Sequence, residues 1–513
     1  MRPVRRPRLP HPTPMRTRLS LLALAAAVLL APGAGAQTGG LLSSFEPSVT
    51  EFTLDNGMTF IVVERREAPV ASFYTVANVG SVDEPVGQTG ISHMFEHMAF
   101  KGTTRIGTTD LDAELAAIAA EEEAYTALRT ARLGGAPAAE VDRLEAAFVT
   151  ARDAAKAFVT DNEFDQIISR AGAVGLNAST SYDLTDYFYS LPSNKAELWF
   201  ALEADRFLNP VLREFYQERD VVQEERRLRT ESNPTGRLLE EFLTTAFKAH
   251  PYGRPVVGHM ADLEAISRAE AEAFYDVYYV PNNLVSVIVG DVDADEVRGW
   301  AEQYFGPIPR GPEPPPVRTV EPEQLGERRV TIVDDSQPFV FVGFHRPAAA
   351  HPDNAVFTVL ADILGRGRTS RLYQALVETE QAVAAQTAAA PFGGRYPTLF
   401  LALGVPTPDA DPADVEATLL AELDRVATGG VTAEELERAK NRARADLVGG
   451  LESNTGLARQ LGRTETVTGD WRSLFRELDA IEAVTAADVQ RVAAETFRMD
   501  NRTVAVSRRP ADS

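Results

Sequence analysis

The feature that most constrains the fold of this chain is a pattern that occurs twice. In the first half, strand-like residues 52–81 are followed much later by a buried strand and a helix at 280–297. In the second half, residues 328–364 again read as strands followed by a helix, and residues 499–510 close the chain with another strand. The two copies are separated by residues 305–324, which are rich in proline and predict an extended linker. The repeat therefore predicts an internal duplication of one type of domain.

The predicted fold class is α+β, with two homologous domains that each combine a mixed sheet with helices. A chain of 513 residues needs more than one core, because single hydrophobic cores rarely grow beyond a few hundred residues. The helix in the second copy lacks histidine and paired carboxylates, so the same site is not expected there. The predicted segments are a signal peptide (1–36), a first domain (37–304), the linker (305–324) and a second domain (325–513).

The first 36 residues have the layout of a secretory signal. A basic region without acids precedes the apolar run LSLLALAAAVLLA, and Ala34 and Ala36 flank a cleavage position before Gln37. The apolar run is too short for a comfortable membrane span. This layout predicts an exported protein, periplasmic or secreted and soluble, with Met1 or Met15 as its start.

The net charge and the cysteine content limit the classes of partner and the types of metal ligand that this chain can have. The formal net charge is −23, which argues against nucleic acid or an anionic membrane as a partner. The chain contains no cysteine, so a metal would have to be held by histidine and carboxylate side chains. Beyond the signal region, no stretch of the sequence is long and apolar enough to predict a membrane span.

A helical hairpin is predicted as an insertion in the first domain, at about residues 110–158. Two helical patterns meet at Gly134-Gly135-Ala136-Pro137, and apolar residues recur in both at helical spacing. Packing of the two helices on each other is the favoured interpretation, and a substrate groove is the alternative.

The segment HMFEH, residues 93–97, places two of the chain's seven histidines around a glutamate. On a helix, with Ser92 predicted as its N-cap, His93 and His97 lie one turn apart on one face and can reach one cation. Zinc with three protein ligands keeps a fourth position for water, and Glu96 can take a proton from that water. This H-x-x-E-H spacing is the inverse of the commoner H-E-x-x-H. The alternative is a pair of helix histidines without a metal.

The charged stretch 215–234 offers a third ligand. Glu218 and Glu225 are seven residues apart and share one helix face, whereas Glu224 points away. One of the pair can bind the metal while the other supports it from behind. The alternative is a solvated helix whose acids pair with neighbouring arginines.

Six segments occur together in the order found in one enzyme family: GISHMFEHMAFKGT, GLNASTSYDLTDYFYSLP, ERDVVQEERR, HPYGRPVVG, YYVPNNLVSVIVGDV and GRGRTSRLYQALVE. With them the chain resembles the pitrilysin/insulysin zinc endopeptidases, also called inverzincins. It is most similar to their two-domain members related to mitochondrial processing peptidase and its bacterial homologues. The resemblance spans nearly the whole mature chain and implies the metallohydrolase fold of that family.

The resemblance also implies roles for individual residues. His93 and His97 match the zinc-binding histidines, and Glu96 matches the general base. Glu225 matches the third zinc ligand, and Glu218 matches the acid that supports the site.

Three further residues are predicted to bind substrate. Asn177, in LNAST, matches the edge strand on which these enzymes hold an extended peptide by β-augmentation. Arg395 and Tyr396 are candidates for the family's arginine and tyrosine pair, which seats substrate from a second-domain sheet, often on a partner chain. His250 is predicted to be structural rather than a third histidine ligand.

The resulting prediction is an exported zinc endopeptidase with one Zn²⁺ per chain, whose substrates are peptides or unfolded polypeptide segments. The first domain is the catalytic one and the second is inactive. The chain is expected to form a homodimer, or a heterodimer with an inactive homologous chain. Manganese or cobalt can substitute for zinc with these ligand types. The alternative function is a non-catalytic peptide-binding or assembly subunit.

Overall fold

The computed structural model describes residues 39–510 of the chain. The predicted signal peptide lies outside the described residues. Within residues 39–510, no helix combines the length and the apolar character needed to cross a bilayer.

The first half of the described chain contributes six strands to one sheet. They are β1 (Val49–Thr53), β2 (Thr59–Glu64), β3 (Val70–Ala77), β4 (Val174–Thr180), β5 (Thr185–Pro192) and β6 (Leu284–Gly290). Their order is β1-β2-β6-β3-β5-β4. β2 and β6 run parallel, and the other neighbouring strands are antiparallel. β4 therefore lies at an edge of the sheet.

The second half contributes a five-stranded sheet. Its strands are β7 (Arg328–Val333), β8 (Val340–Arg346), β9 (Ala382–Ala388), β10 (Thr398–Pro406) and β11 (Arg502–Arg508). The order β7-β11-β8-β10-β9, with β7 and β11 parallel, repeats the order and directions of β2-β6-β3-β5-β4. The predicted duplication and the α+β class are thereby confirmed.

Helices surround both sheets in the described residues. The first half contains α1 (Gly39–Phe45), α2 (Ile91–Met98), α3 (Leu111–Leu133), α4 (Ala138–Lys156), α5 (Glu163–Arg170), α6 (Ala196–Leu208), α7 (Phe215–Arg226), α8 (Pro234–Ala246), α9 (Met260–Ala265), α10 (Arg268–Tyr278) and α11 (Ala294–Tyr304). The second half contains α12 (Asn354–Gly365), α13 (Pro412–Gly429), α14 (Ala433–Glu452), α15 (Asn454–Thr468), α16 (Ser473–Ala483) and α17 (Ala486–Thr496).

The turn between β1 and β2 contains Asp55-Asn56-Gly57, a sequence typical of a hairpin turn. Gly57 has a φ of +94°, a conformation that glycine adopts without steric cost. The side-chain amide of Asn56 donates to the carbonyl oxygens of Phe305 and Ile308 at 2.8 and 2.9 Å. The hairpin therefore fastens the start of the first sheet to the end of α11.

One helix of the second half covers a face of the first sheet. Leu457 and Leu461 of α15 pack in a buried cluster with Tyr74 of β3 and Val287 of β6. A Cβ atom on Gly462 would lie 2.6 Å from the Tyr74 ring, so only glycine allows this close approach. The two halves thus share a hydrophobic core as well as each having its own.

The predicted helical hairpin is present. Its helices, α3 and α4, are joined by residues 134–137, and Tyr125 and Phe148 meet across them with ring centroids 5.5 Å apart. The helices do pack on each other, as expected. They also pack on α7, because Tyr216 lies against both of these rings.

The segment between α11 and β7 contains neither helix nor strand over residues 309–325. The domain limits 37–304, 305–324 and 325–513 remain predictions, since the shared packing between the halves does not define a sharp boundary.

Candidate metal centre

α2 carries both histidines of the H-x-x-E-H segment, and a buried carboxylate holds its first turn. Glu84 accepts backbone N–H bonds from Gly90 and Ser92, each at 2.9 Å. The prediction that Ser92 caps the helix is wrong, because the helix begins at Ile91 and the Ser92 hydroxyl donates to the carbonyl oxygen of Gly80. Burial raises the pKa of Glu84 to about 8, and the two N–H donors oppose that rise. Glu84, which lies outside the motif in the preceding loop, thus positions the helix that carries the motif.

α7 brings the predicted third ligand to the histidines. Oε2 of Glu225 lies 3.5 Å from Nε2 of His93 and 3.3 Å from Nε2 of His97. The other carboxylate oxygen of Glu225, Oε1, forms an ion pair with Arg229 at 2.6 Å. Arg229 belongs to a π-helical turn, Arg227–Glu231, that continues α7. With Oε1 engaged by Arg229, Oε2 of Glu225 faces the two imidazoles.

This arrangement fits a tetrahedral metal ion. Ligand atoms of His93, His97 and Glu225 all lie within 4.8 Å of one another, and this is the cluster of such residues found within residues 39–510. Zinc bonds to histidine nitrogen and carboxylate oxygen are about 2.0–2.1 Å long, so two tetrahedral ligands stand about 3.3–3.4 Å apart. The distances from Glu225 to both histidines match that separation. His250 lies outside this cluster.

Protonation of the two histidines differs because their surroundings differ. Burial lowers the pKa of His93 to about 4, despite the attraction of the Glu225 carboxylate. Burial also opposes protonation of His97, but hydrogen bonds to Glu218 and Glu225 raise its pKa to about 9. The same contacts lower the pKa of Glu218 and Glu225. The carboxylates of Glu218 and Glu225 therefore place negative charge beside the imidazoles, which favours binding of a cation.

Glu96 lies beside the three candidate ligands without belonging to their cluster. Its Oε2 atom is 3.9 Å from Nε2 of His93, and the side chain is 22% exposed. Burial raises the pKa of Glu96, an effect that Thr180 of β4 and His97 partly offset. A carboxylate with a raised pKa near a metal position suits a group that accepts and returns a proton.

Glu218 supports the site from behind, and sequence reasoning missed the lysine that holds it. Oε2 of Glu218 lies 3.2 Å from Nδ1 of His97, which fixes the imidazole so that Nε2 faces Glu225. Nζ of Lys101 lies 2.6 Å from Oε1 of Glu218 and 2.9 Å from Oε2 of Glu214. Lys101 follows His97 by four residues but lies beyond the end of α2 at Met98, so no local spacing in the sequence indicates its contact with Glu218.

Asn177 lies on the edge strand β4 and is exposed. Its side-chain oxygen accepts from the N–H of Ala178 at 2.9 Å. The regular pairing of β4 with β5 is interrupted between Val174 and Asn177. Thr180, at the other end of this strand, lies beside Glu96. The structure thus brings the predicted peptide-binding strand next to the candidate metal centre.

Arg395 and Tyr396 lie at a contact between the two halves. The Arg395 guanidinium donates to Oδ1 of Asn78 and to the carbonyl oxygen of Asp183. It also lies 3.7 Å from the carboxylate of Asp83. The N–H of Tyr396 is 3.2 Å from the hydroxyl of Tyr252. In this structure both residues are engaged within the chain, and their role in seating substrate remains a prediction.

A separate cleft of about 580 Å³ lies in the second half, away from the metal centre. Its lining includes Arg366, Arg368 and residues of the edge strand β9. It contains no group of three potential metal ligands among the residues that the structure describes. The chemistry of the histidine site is therefore confined to the first half, as the sequence predicts.

Two family models match the chain. The model described as Insulinase (Peptidase family M16) matches residues 60–131 and 156–259. The model described as Peptidase M16 inactive domain matches residues 265–443. The first model does not match residues 132–155, which comprise the loop of the helical hairpin and most of α4.

Similar proteins and solved structures agree with these matches. Zinc protease PqqE of Helicobacter pylori is 28% identical over 497 residues, covering 96% of this chain and 98% of that protein. An uncharacterized zinc protease of Mycobacterium leprae is 27% identical over 451 residues, covering 87% and 88%. The crystal structure of a protease from Helicobacter pylori superposes with a TM-score of 0.76 at 26% identity, covering 90% of this chain and 99% of that one. The peptidase M16 inactive domain from Pseudomonas fluorescens has the same fold, with a TM-score of 0.71 at 16% identity and coverage of 90% and 98%.

Fold and site together define a two-domain protein of the metallopeptidase type. The chain belongs to the pitrilysin/insulysin peptidases, which form peptidase family M16.

Proposed function

We propose that this chain is an exported zinc endopeptidase that hydrolyses peptides or unfolded polypeptide segments. The observation that carries the proposal is the convergence of His93, His97 and Glu225 at distances suited to one zinc ion, with Glu96 beside them. The names of the similar proteins, which are zinc proteases, support the choice of metal and reaction.

His93, His97 and Glu225 would hold one Zn²⁺ per chain. When bound, zinc supplies a Lewis acid that polarises the scissile carbonyl and makes water more acidic. Glu96 accepts the proton of the attacking water and then delivers it to the leaving nitrogen. Glu218 keeps the His97 ring oriented, through the contact at Nδ1.

The edge strand β4 is proposed to hold the substrate. An extended peptide can add to an open sheet edge through backbone hydrogen bonds, which demand little of its sequence. Asn177 on β4 and Thr180 near Glu96 support this placement. Arg395 and Tyr396 are kept as candidates for seating substrate, alongside the contacts they make within the chain. Such binding favours unfolded segments, because a folded protein does not present a free strand.

The proposed location is periplasmic or secreted. The composition of residues 1–36 supports it. The proposed assembly, on the resemblance to processing peptidases, is a homodimer or a heterodimer with an inactive homologous chain. Light scattering of the purified mature chain, alone and with a homologous chain from the same source, would distinguish these states.

The decisive experiment measures metal content and cleavage of a mixed unstructured peptide library by purified residues 37–513. It compares the wild-type chain with Glu96→Gln, Glu225→Gln and the matched control Glu224→Gln, whose side chain is 58% exposed. We expect about one zinc per chain in the wild type, Glu96→Gln and Glu224→Gln. Cleavage should be lost in Glu96→Gln and in Glu225→Gln, and only Glu225→Gln should also lose zinc.

Two other outcomes of this experiment would argue against an active zinc endopeptidase. Zinc without cleavage in the wild type supports the alternative of a non-catalytic subunit, or of a chain that needs a partner to complete its site. A wild-type chain that binds no zinc, under conditions that preserve bound metal, contradicts the proposal.

A further inference from the structure

The helical hairpin formed by α3 and α4 lies on the side of α7 that faces away from the histidines. At about 100° per residue, Tyr216 stands about 180° from Glu225 and about 200° from Glu218 around the α7 axis. Tyr216 is fully buried and its ring lies 4.3 Å from that of Tyr125 and 5.1 Å from that of Phe148. One face of α7 thus meets α2, and the opposite face meets the hairpin.

We propose that the hairpin positions α7, so that Glu225 and Glu218 reach the histidines in an arrangement ready for metal. This inference rests on the proposed zinc site and assigns a role to the predicted insertion, of which the loop and most of α4 (residues 132–155) lie outside the match to the family model, whereas nearly all of α3 lies within it. Four sets of contacts carry it.

The first set is an aromatic and cationic stack on the back of α7. The guanidinium of Arg219 lies 4.7 Å from the centre of the Tyr125 ring and 4.8 Å from that of Tyr216. Arg219 also donates to the carbonyl oxygen of Ile266 at 3.0 Å. Cation–π contacts of this kind are stronger when they are buried, because water does not screen them. They restrict rotation of α7 about its own axis, which is the motion that would move Glu225.

The second set is a buried ion pair next to the start of α7. Glu114 of α3 accepts from Arg213 at 2.9 and 3.1 Å, and both side chains are almost completely buried. Arg213 also donates to the carbonyl oxygens of Lys101, Thr103 and Ile106. Those carbonyls belong to the segment that leaves the histidine helix. The Arg213 guanidinium therefore connects α3 of the hairpin with the segment that follows α2, and Arg213 itself lies just before the start of α7.

The third set of contacts connects the middle of α3 to α10 and α7. Glu121 pairs with the buried Arg268 at the start of α10, and Arg268 donates to the carbonyl oxygen of Ile118 at 2.9 Å. The hydroxyl of Tyr216 donates to Glu122 at 2.6 Å. Glu114 and Glu121 are two turns apart on α3, so both ion pairs hold the same face of this helix.

The fourth set reaches from the end of the hairpin to a histidine. Lys156 of α4 lies 3.8 Å from Oε1 of Glu214. Glu214 precedes α7 with a φ of +56°, a left-handed conformation that is unfavourable for a residue other than glycine. Its other oxygen binds Lys101, which binds Glu218, which contacts His97. The contacts on Glu214 help to maintain this conformation at the start of the helix.

The experiment tests zinc affinity, which a purely stabilising contact far from the site would leave unchanged in folded protein. Tyr125→Ala removes the ring that both Tyr216 and Arg219 contact. Tyr125→Phe keeps the ring and removes only the hydroxyl, and Leu133→Ala changes an exposed residue at the end of α3 that is 80% exposed. Zinc affinity is measured by competition with a chromophoric chelator at a temperature where circular dichroism shows each variant to be folded.

We expect Tyr125→Ala to bind zinc about 10- to 100-fold more weakly, the range found when partners behind metal ligands are removed. Tyr125→Phe and Leu133→Ala should bind zinc as the wild type does. With zinc saturating, KM for a peptide should be unchanged in Tyr125→Ala. If Tyr125→Ala does not fold, Phe148→Leu is the milder substitution in the same cluster. It should weaken zinc binding about 3- to 10-fold, because leucine keeps part of the apolar packing that the Phe148 ring makes.

The outcomes separate this inference from the proposed function. A wild-type chain without zinc affinity overturns both. Zinc binding by the wild type, with equal affinity in folded Tyr125→Ala or Phe148→Leu, overturns the role of the hairpin alone and leaves the zinc site intact.

Discussion

Nε2 of His97 lies 3.3 Å from Oε2 of Glu225, although the whole helical hairpin intervenes between the two residues in the chain. The histidine comes from α2 and the glutamate from α7, and each helix is held by residues outside the site. Glu84 binds the first turn of α2, and Lys101 links Glu214, which precedes α7, to Glu218 on α7. The predictions that follow concern these connections.

Replacing Lys101 should weaken the metal site without removing a ligand. Lys101→Met keeps most of the aliphatic chain but leaves Glu214 and Glu218 without their shared cation. Zinc affinity is expected to fall about 10- to 100-fold, as for other groups that orient ligands. Chelator competition measures the change, and Lys195→Met, at a residue exposed on the surface, serves as the control. Equal affinity in Lys101→Met and the wild type would show that Glu218 holds its position without the lysine.

Zinc should raise the thermal stability of the wild-type chain but not of Glu225→Gln. A ligand that binds the folded state stabilises it by about 2.7 kcal/mol at 100 times its Kd. Glu225→Gln loses an anionic ligand and should show no shift at the same zinc concentration, whereas Glu224→Gln should behave as the wild type. Differential scanning calorimetry with and without zinc tests this, and a full shift in Glu225→Gln would assign the third ligand to another residue.

The stability of the chain should depend on pH through Glu84. The folded pKa of about 8 exceeds the ordinary value of 4.5, so the folded state binds this proton more tightly than the unfolded state. The resulting stabilisation is complete below about pH 4.5 and is lost as pH rises through about 8. Glu84→Gln imitates the neutral form and lacks this dependence.

We therefore expect the unfolding free energy of the wild type to fall, relative to Glu84→Gln, as pH rises from 5 to 9. Urea unfolding at several pH values measures the difference, and the exposed Glu67→Gln is the control. Parallel curves for the wild type and Glu84→Gln would mean that Glu84 is ionised throughout, with its charge held by the N–H groups of Gly90 and Ser92.

Arg395→Ala separates two roles for this residue. If Arg395 mainly joins the two halves, its loss leaves Asp83 buried without its partner, and unfolding free energy should drop by about 3–5 kcal/mol. Burial already raises the pKa of Asp83 to about 6, against the influence of Arg395. Arg498→Ala, whose side chain is 52% exposed, should change stability little. A rise in KM with unchanged stability would instead support the predicted role in seating substrate.

Asn177→Ala should affect peptide binding and leave the metal site unchanged. The substitution removes the side-chain bond to the N–H of Ala178 on the edge strand, and the local strand should become less ordered. KM for an unstructured peptide is expected to rise several-fold, in line with about 1 kcal/mol for one hydrogen bond. Zinc affinity, measured in parallel, should not change. A loss of zinc affinity would show that the edge strand also supports the ligands.

Sequence reasoning recovered much of the fold because the repeated pattern is local. Alternating strands, the Asp55-Asn56-Gly57 turn and the two long helical patterns each depend on neighbouring residues. The five-strand order common to both sheets agrees with the duplication inferred from two similar halves. The H-x-x-E-H spacing likewise places His93 and His97 on one helix face, whatever surrounds them.

Other features depended on side-chain contacts that the spacing within each motif does not indicate. The cap of α2 was assigned to Ser92, whereas Glu84 from a preceding loop occupies that place. The support of Glu218 by Lys101, and of α7 by Tyr125 and Phe148, had no signal in the spacing of α7 itself. A buried arginine and an exposed one look alike in a sequence.

Residue type and short periodic spacing were enough to predict the kind of domain, its duplication and the two histidine ligands. The spacing left Glu218 and Glu225 open as the third ligand, and the family resemblance favoured Glu225. Tertiary packing sets which face of α7 meets the histidines, which side chains orient each ligand and where Arg395 lies. The reason is physical: burial and long-range packing set the orientation of a helix and the protonation of its side chains, and neither is encoded in local spacing.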